Sequence, residues 1–209
     1  KIEWEFIEET LREQGDGENM KKLEQYKKNK SKPFFLWKLY FSDVFHRDNP
    51  GFDVVLGNPP YGTSIKGEYR KAVLDELGKV PDYEIYYYFI ELGNKLLRKG
   101  GVNTYIIPNT FLFNVFAYDY RKGLLERWAI KEILDCTSFK LFESATVFNS
   151  IIIFLKDERI KKDIGYKETA KAISFMELSR QPTVHISKEI LLLNNINWGL
   201  VFKLPQKYL

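Results

Sequence analysis

The twelve residues GFDVVLGNPPYG, Gly51 to Gly62, join a short apolar strand to an amide, two prolines and a phenol. Proline cannot donate to a sheet ladder, and Pro59 biases Asn58 away from helical backbone. The strand Asp53-Val54-Val55-Leu56 therefore stops at Gly57 and becomes a stiff loop. Such a loop suits an exocyclic NH2 group that must act as a nucleophile although its lone pair is delocalised. Two acceptors aimed at its two hydrogens pull the nitrogen towards tetrahedral geometry and free that pair. Asn58 offers a side-chain carbonyl, Pro59 offers a backbone carbonyl held by the rigid Pro-Pro unit, and Pro60 adds no competing N–H. Tyr61 offers a flat face on which a planar group can stack. This is positioning and electrostatic preorganisation without a strong base, and it suits methyl transfer from a sulfonium donor.

A loop of this kind needs a scaffold, and the chain after Gly51 supplies one. DYEIYYYFIELGNKLLRKGG predicts a helix that begins at Asp82 and stops at Gly100-Gly101. VNTYIIP predicts a strand that again ends on proline, Pro108. VFAYDYRKGLLERWA predicts a second amphipathic helix, IKEILD a third strand, and VFNSIIIFLKD a strand running into the charged connector KDERIKKD. This alternation predicts an α/β fold with crossover units on a largely parallel sheet, and functional residues at the carboxyl ends of its strands. NPPY lies at such an end, and so does Pro108-Asn109-Thr110-Phe111. Asn109 and Thr110 are read either as substrate contacts or as structural residues.

Before Gly51, WEFIEETL and MKKLEQYKKNK read as solvated helices around a Gly15-Asp16-Gly17 break. The lysine run from Lys21 to Lys32 is a solvated helix end or linker, or else a phosphate-binding arm. PFFLWKLYFSDVF fits a strand or a buried helix. Beyond Asp163 the character changes, with a short helix expected after Ser187. The expected organisation is a charged helical segment at 1–32, a catalytic part at 33–160, and a connector leading into a further region at 161–209.

Composition narrows the classes. A chain of 209 residues, 44% hydrophobic and 16% aromatic, can bury a real core. A net charge of +4 permits an anionic partner without demanding one. A single cysteine, Cys136, excludes an internal disulfide and suits a reducing cytoplasm. No apolar run approaches the roughly 18 residues of a membrane span. His46 and His185 lie far apart in sequence, so no metal is expected. The first residue is lysine, which fits a piece of a longer polypeptide.

Here the sequence resembles a family. NPPY after a short apolar strand looks like the catalytic motif of amino-methyltransferases that modify N6 of adenine in DNA. FFLWKLYFSDVF, GFDVVLGNPPYG, the tyrosine-rich helix, GGVNTYIIPNTFL and LFESATVFNSIIIF are similar to segments of the adenine methyltransferases of restriction–modification enzymes. ISKEI followed by NW resembles the approach to their target-recognition region. The resemblance spans about Pro33 to Trp198. It implies part of a class I, Rossmann-like methyltransferase fold, mostly parallel with an antiparallel last strand. It implies that Asn58 and the Pro59 carbonyl hold the N6 amine and that Tyr61 stacks on an adenine extruded from double-stranded DNA. Phe142 would pack on that base from another side, with Phe148 as a second candidate or a core residue, and Asn109 nearby.

The family binds S-adenosylmethionine with a glycine loop after its first strand and an acidic end to its second, both upstream of NPPY. Neither is present, so the chain reads as the catalytic half without the cofactor half. Two other readings stay open. NPPY also serves methyltransferases of RNA bases and of a protein glutamine, and the sheet could belong to a non-catalytic DNA-binding module. Smaller alternatives concern Asp135, which lines a cleft or is structurally satisfied, and Tyr86-Tyr87-Tyr88, which packs on the sheet or forms a stacking platform. Cys136 is a small core residue or a nucleophile.

Overall fold

A computed structural model describes the chain except for residues 1, 33, 79, 82, 139–140, 144–145, 158–162, 169–173, 194–196 and 206–209. The chain divides into two compact units, Lys1–Pro50 and Gly51–Leu209.

The first unit is helical. Helix α1 (Ile2–Glu13) and helix α2 (Gly17–Lys28) flank the Gly-Asp-Gly break, where Asp16 caps α2 by accepting from the Asn19 N–H at 3.0 Å. Lys22, Lys27 and Lys32 are ion-paired with Glu18, Glu8 and Glu3, so three cations of the lysine run are engaged within their own unit. The aromatic stretch forms two short helices, α3 (Trp37–Tyr40) and α4 (Ser42–Phe45). They are not buried. Phe35 stacks on Tyr40 and Trp37 on Phe41, with Phe35, Tyr40 and Phe41 all exposed.

The second unit is built on a six-stranded sheet of order β1-β2-β4-β3-β5-β6. Its strands are β1 (Phe52–Gly57), β2 (Leu97–Pro108), β3 (Ala129–Asp135), β4 (Asn149–Leu155), β5 (Ile164–Glu168) and β6 (Val184–Ile186). β1 runs parallel to β2 and β3 parallel to β5, whereas β4 is antiparallel to both β2 and β3, and β6 to β5. Four strands thus share one direction, in a mixed α/β sheet. The strand expected to be antiparallel, β4, is not at an edge; it lies between β2 and β3. Residues beyond Asp163 also contribute to this sheet, through β5 and β6.

The helices are α5 (Gly67–Leu77), α6 (Tyr86–Leu96), α7 (Tyr118–Arg127), α8 (Phe175–Arg180), α9 (Lys188–Leu193) and α10 (Trp198–Lys203). The expected start of α6, Asp82, lies outside the described residues. Its expected stop at Gly100-Gly101 is corrected: α6 ends at Leu96 because Leu97 turns extended and pairs with Phe52. The glycines instead sit inside β2. Gly100 has φ +77°, and the partner of β1 jumps from Leu97 to Val102 there, a bulge that only a positive-φ residue makes easily.

Tyr86, Tyr87 and Ile90 of α6 are fully buried with Ile107, Phe111, Leu124, Ile133, Ile152 and Phe154, so the tyrosine trio is core. Fully burying one such side chain contributes roughly 1.5–3 kcal/mol before entropy is subtracted. Within this layer the Asn103 amide on β2 donates to the Asn94 side-chain oxygen at 3.0 Å. No described helix is long and apolar enough to cross a membrane.

Candidate active site

β1 and β2 are parallel with Gly57 opposite Tyr105, so the loops that follow Gly57 and Pro108 emerge from the same edge of the sheet. β3 runs in their direction, and β4 starts at that edge, with Asn149 opposite Pro108 and Ser150 opposite Asp135. The connection 136–148 therefore crosses the same edge. In this way the topology brings Asn58, Pro59, Pro60, Tyr61, Asn109, Phe142 and Phe148 to one side of the molecule from three separate chain segments.

Asn58 is exposed, Pro59 is buried and Pro60 is exposed. The loop is held from below and behind. The single Tyr61 hydroxyl hydrogen is shared between two acceptors, the Asn58 side-chain oxygen at 2.6 Å and the Ile106 carbonyl of β2 at 2.9 Å. The Gly62 N–H donates to Glu84 at 2.8 Å, and the Ile85 N–H to the Thr63 carbonyl at 2.7 Å, tying the loop to the start of α6. Gly62 makes its turn at φ +66°. Burial pushes the Tyr61 hydroxyl up to about 12, so it remains a protonated donor near neutral pH. Tyr61 is half-buried, which leaves part of its surface open.

This geometry fits the preorganisation that the residue types suggest. An amide oxygen has two lone pairs, and the tyrosine bond occupies one while fixing the direction of the other. Sequence reasoning missed the Glu84 anchor and the Ile106 carbonyl, because both act across more than twenty residues and neither belongs to a motif.

The remaining candidates separate. Phe148 is 58% exposed, which removes its core reading, and its carbonyl accepts from the Asn109 N–H at 2.9 Å. Phe142 is partly buried. The Asn109 side-chain amide donates to the Thr137 hydroxyl at 3.0 Å. Asp135 is buried and satisfied: Tyr166 donates to it at 2.7 Å, and so do the Thr137 N–H and hydroxyl. Cys136 is buried among Leu134, Leu141, Ile151 and Leu178, and burial beside Asp135 pushes its thiol up to about 12. It is a core thiol and a poor nucleophile at neutral pH. Among the described residues no group of three His, Cys, Asp or Glu side chains converges as a metal site would require.

Residues 1–142 match the family described as Eco57I restriction-modification methylase. A Methanocaldococcus jannaschii protein named for a type II restriction enzyme and methyltransferase, RM.MjaORFECS2P, is 30% identical over 195 residues, covering 91% of this chain and 16% of that one. The type II methyltransferase M.BanIII of Aneurinibacillus aneurinilyticus is 30% identical over 180 residues, covering 80% of this chain and 29% of that one. The methyltransferase subunit of a type I restriction–modification system from Streptococcus thermophilus shares the fold, with a TM-score of 0.60 and 23% identity over 77% of this chain and 41% of that one. The chain thus spans less than a third of the length of these two curated relatives. It belongs to the Eco57I restriction-modification methylase family.

Proposed function

We propose that this chain is the catalytic-loop half of a DNA methyltransferase that transfers a methyl group to N6 of an adenine extruded from the duplex, within a larger restriction–modification polypeptide of the cytoplasm. The observation that carries this reading is an exposed Asn58 at the carboxyl end of a strand, its side-chain oxygen oriented by Tyr61 and followed by the buried Pro59. Asn58 and the Pro59 carbonyl accept the two N6 hydrogens, and the Tyr61 ring supports the base. Phe142 lies on the same sheet edge and is assigned to the other side of the base. An adenine must leave the stack to reach such a site.

The methyl donor of this reading is S-adenosylmethionine, whose sulfonium supplies an activated methyl group. The described residues do not form its site. Upstream of Asn58 the described chain holds helices and the single strand β1, with no strand–glycine-loop–strand unit ahead of it. Among the described strands β1 pairs with β2 alone and lies at an edge of the sheet, and it exposes Val54 and Leu56. Exposed apolar side chains on an edge strand form a surface that further structure would cover. We assign the cofactor half to the remainder of the polypeptide, and the region 161–209 to the approach to target recognition.

The test is methylation by the intact enzyme. Asn58→Ala is expected to lower methyl transfer to adenine-containing duplex by about a hundredfold or more. Unchanged methylation by that variant, with DNA affinity lost instead, would make the chain a binding module. Methylation of RNA or of a glutamine side chain in preference to duplex would move the substrate class.

A further inference from the structure

Resting on the proposed site, we infer that Thr137 and Asn109 are positioning residues, which lock the connection carrying Phe142 and Phe148 to the carboxyl end of β2.

The hydrogen-bond directions follow from proton counting. Asp135 is 3% exposed, and one of its side-chain oxygens accepts from both the Thr137 N–H and the Thr137 hydroxyl. The Thr137 hydroxyl has one hydrogen and gives it to Asp135, so it can only accept from its other neighbour. That neighbour is the Asn109 amide, which must present its NH2 at 3.0 Å. The chain of bonds therefore runs one way, Asn109 to Thr137 to Asp135, while Tyr166 donates to the second Asp135 oxygen at 2.7 Å. Lys203 of α10 lies 3.7 Å from that oxygen and 3.2 Å from Glu168. One of the two Asn109 amide hydrogens is thereby committed to the fold.

Two backbone bonds complete the lock. The Asn109 N–H donates to the Phe148 carbonyl at 2.9 Å, and the Cys136 N–H to the Asn149 carbonyl at 3.0 Å. Both ends of the connection 136–148 are thus fastened, one of them directly to the residue after β2. β2 also supplies the Ile106 carbonyl that holds Tyr61. The loop carrying Tyr61 and the connection carrying Phe142 and Phe148 are therefore anchored three positions apart, at Ile106 in β2 and at Asn109 just after it. Their spacing is what a flat base between them would feel.

The experiment uses the intact enzyme with Thr137→Val, Thr137→Ser and Asn109→Ala, and with 2-aminopurine at the target position to report unstacking. Thr137→Val is expected to lower kcat by about tenfold or more and to reduce the 2-aminopurine signal, because misplacement of a positioned group costs rate. Its DNA Kd should stay within about twofold, since uniform binding is untouched. Thr137→Ser, which keeps the hydroxyl, should restore kcat, and Asn109→Ala should reproduce the loss if the valine variant fails to fold. Unchanged kcat in Thr137→Val or Asn109→Ala, or a serine variant as slow as the valine one, overturns the inference while leaving the site standing. Full activity of Asn58→Ala would instead overturn the site itself.

Discussion

The Tyr61 hydroxyl sits 2.6 Å from the Asn58 side-chain oxygen, so two residues of one loop are bonded to each other before any substrate arrives. The tyrosine therefore has two separable parts, a ring and a donor. Tyr61→Phe keeps the ring and releases the Asn58 amide. A hydrogen bond of this type is worth about 1 kcal/mol, so kcat should fall by roughly fivefold. Tyr61→Ala removes both parts and should fall further. Steady-state kinetics of the two variants in the intact enzyme separates the contributions; equal losses would mean that the ring contributes nothing, and an unchanged Tyr61→Phe that the hydroxyl contributes nothing.

Two glycines should respond in opposite degrees to alanine. Gly51 has φ +115°, and a Cβ there would lie 2.4 Å from the Arg98 nitrogen and 2.5 Å from the Leu97 carbonyl carbon. Both are backbone atoms that cannot step aside. Gly51→Ala should cost more than about 3 kcal/mol. Gly62 has φ +66° with nothing within 4 Å of the added carbon, so Gly62→Ala should cost only about 1 kcal/mol. Urea unfolding midpoints would rank them.

Arg121 is fully buried, donating to the Phe111 carbonyl at 3.1 Å and the Asn114 carbonyl at 2.8 Å, with its guanidinium 5.6 Å over Trp198. Burial holds its pKa below the usual value. Arg121→Met leaves two carbonyls without this donor and should cost about 3 kcal/mol. Arg121→Lys should rescue little, because a point charge cannot replace the planar fork. Chemical denaturation checks both.

Stability should fall in alkali. Burial raises the folded-state values of the Cys136 thiol, to about 12 from 9.0, and of the tyrosines Tyr83, Tyr86, Tyr87, Tyr120 and Tyr166 from 10.0. The unfolded chain therefore releases protons first as pH rises. The stability these groups contribute is fully present below pH 9.0, and it declines as pH climbs from there towards their folded values. Cys136→Ala should flatten the first part of that decline. Thermal melts at a series of alkaline pH values would show it.

The sequence was most legible where one residue type forbids the alternative. Pro59 and Pro108 both end strands, and that alone aligned the two loops at one sheet edge. Helical periodicity located α6 and α7, because their apolar faces bury tyrosines and leucines. What stayed hidden depends on partners distant in the chain. Leu97 leaves its helix early because Phe52 receives it. β5 carries the polar run Gly165-Tyr166-Lys167, whose place in the sheet rests on pairing with β3 and on the Tyr166 bond to Asp135. Asn109 was legible as a residue of that edge, but its commitment to Thr137 was not, since the two are 28 positions apart.

The location of β4 has a consequence for how the molecule comes into being. Its backbone is the seam between β1-β2 on one side and β3-β5-β6 on the other, and among the described strands it alone joins them. During synthesis the Asn-Pro-Pro-Tyr loop leaves the ribosome some ninety residues before that seam does, a separation of 58 to 149. A chain truncated ahead of Asn149 would hold every atom of the loop and lack the floor that keeps it in register.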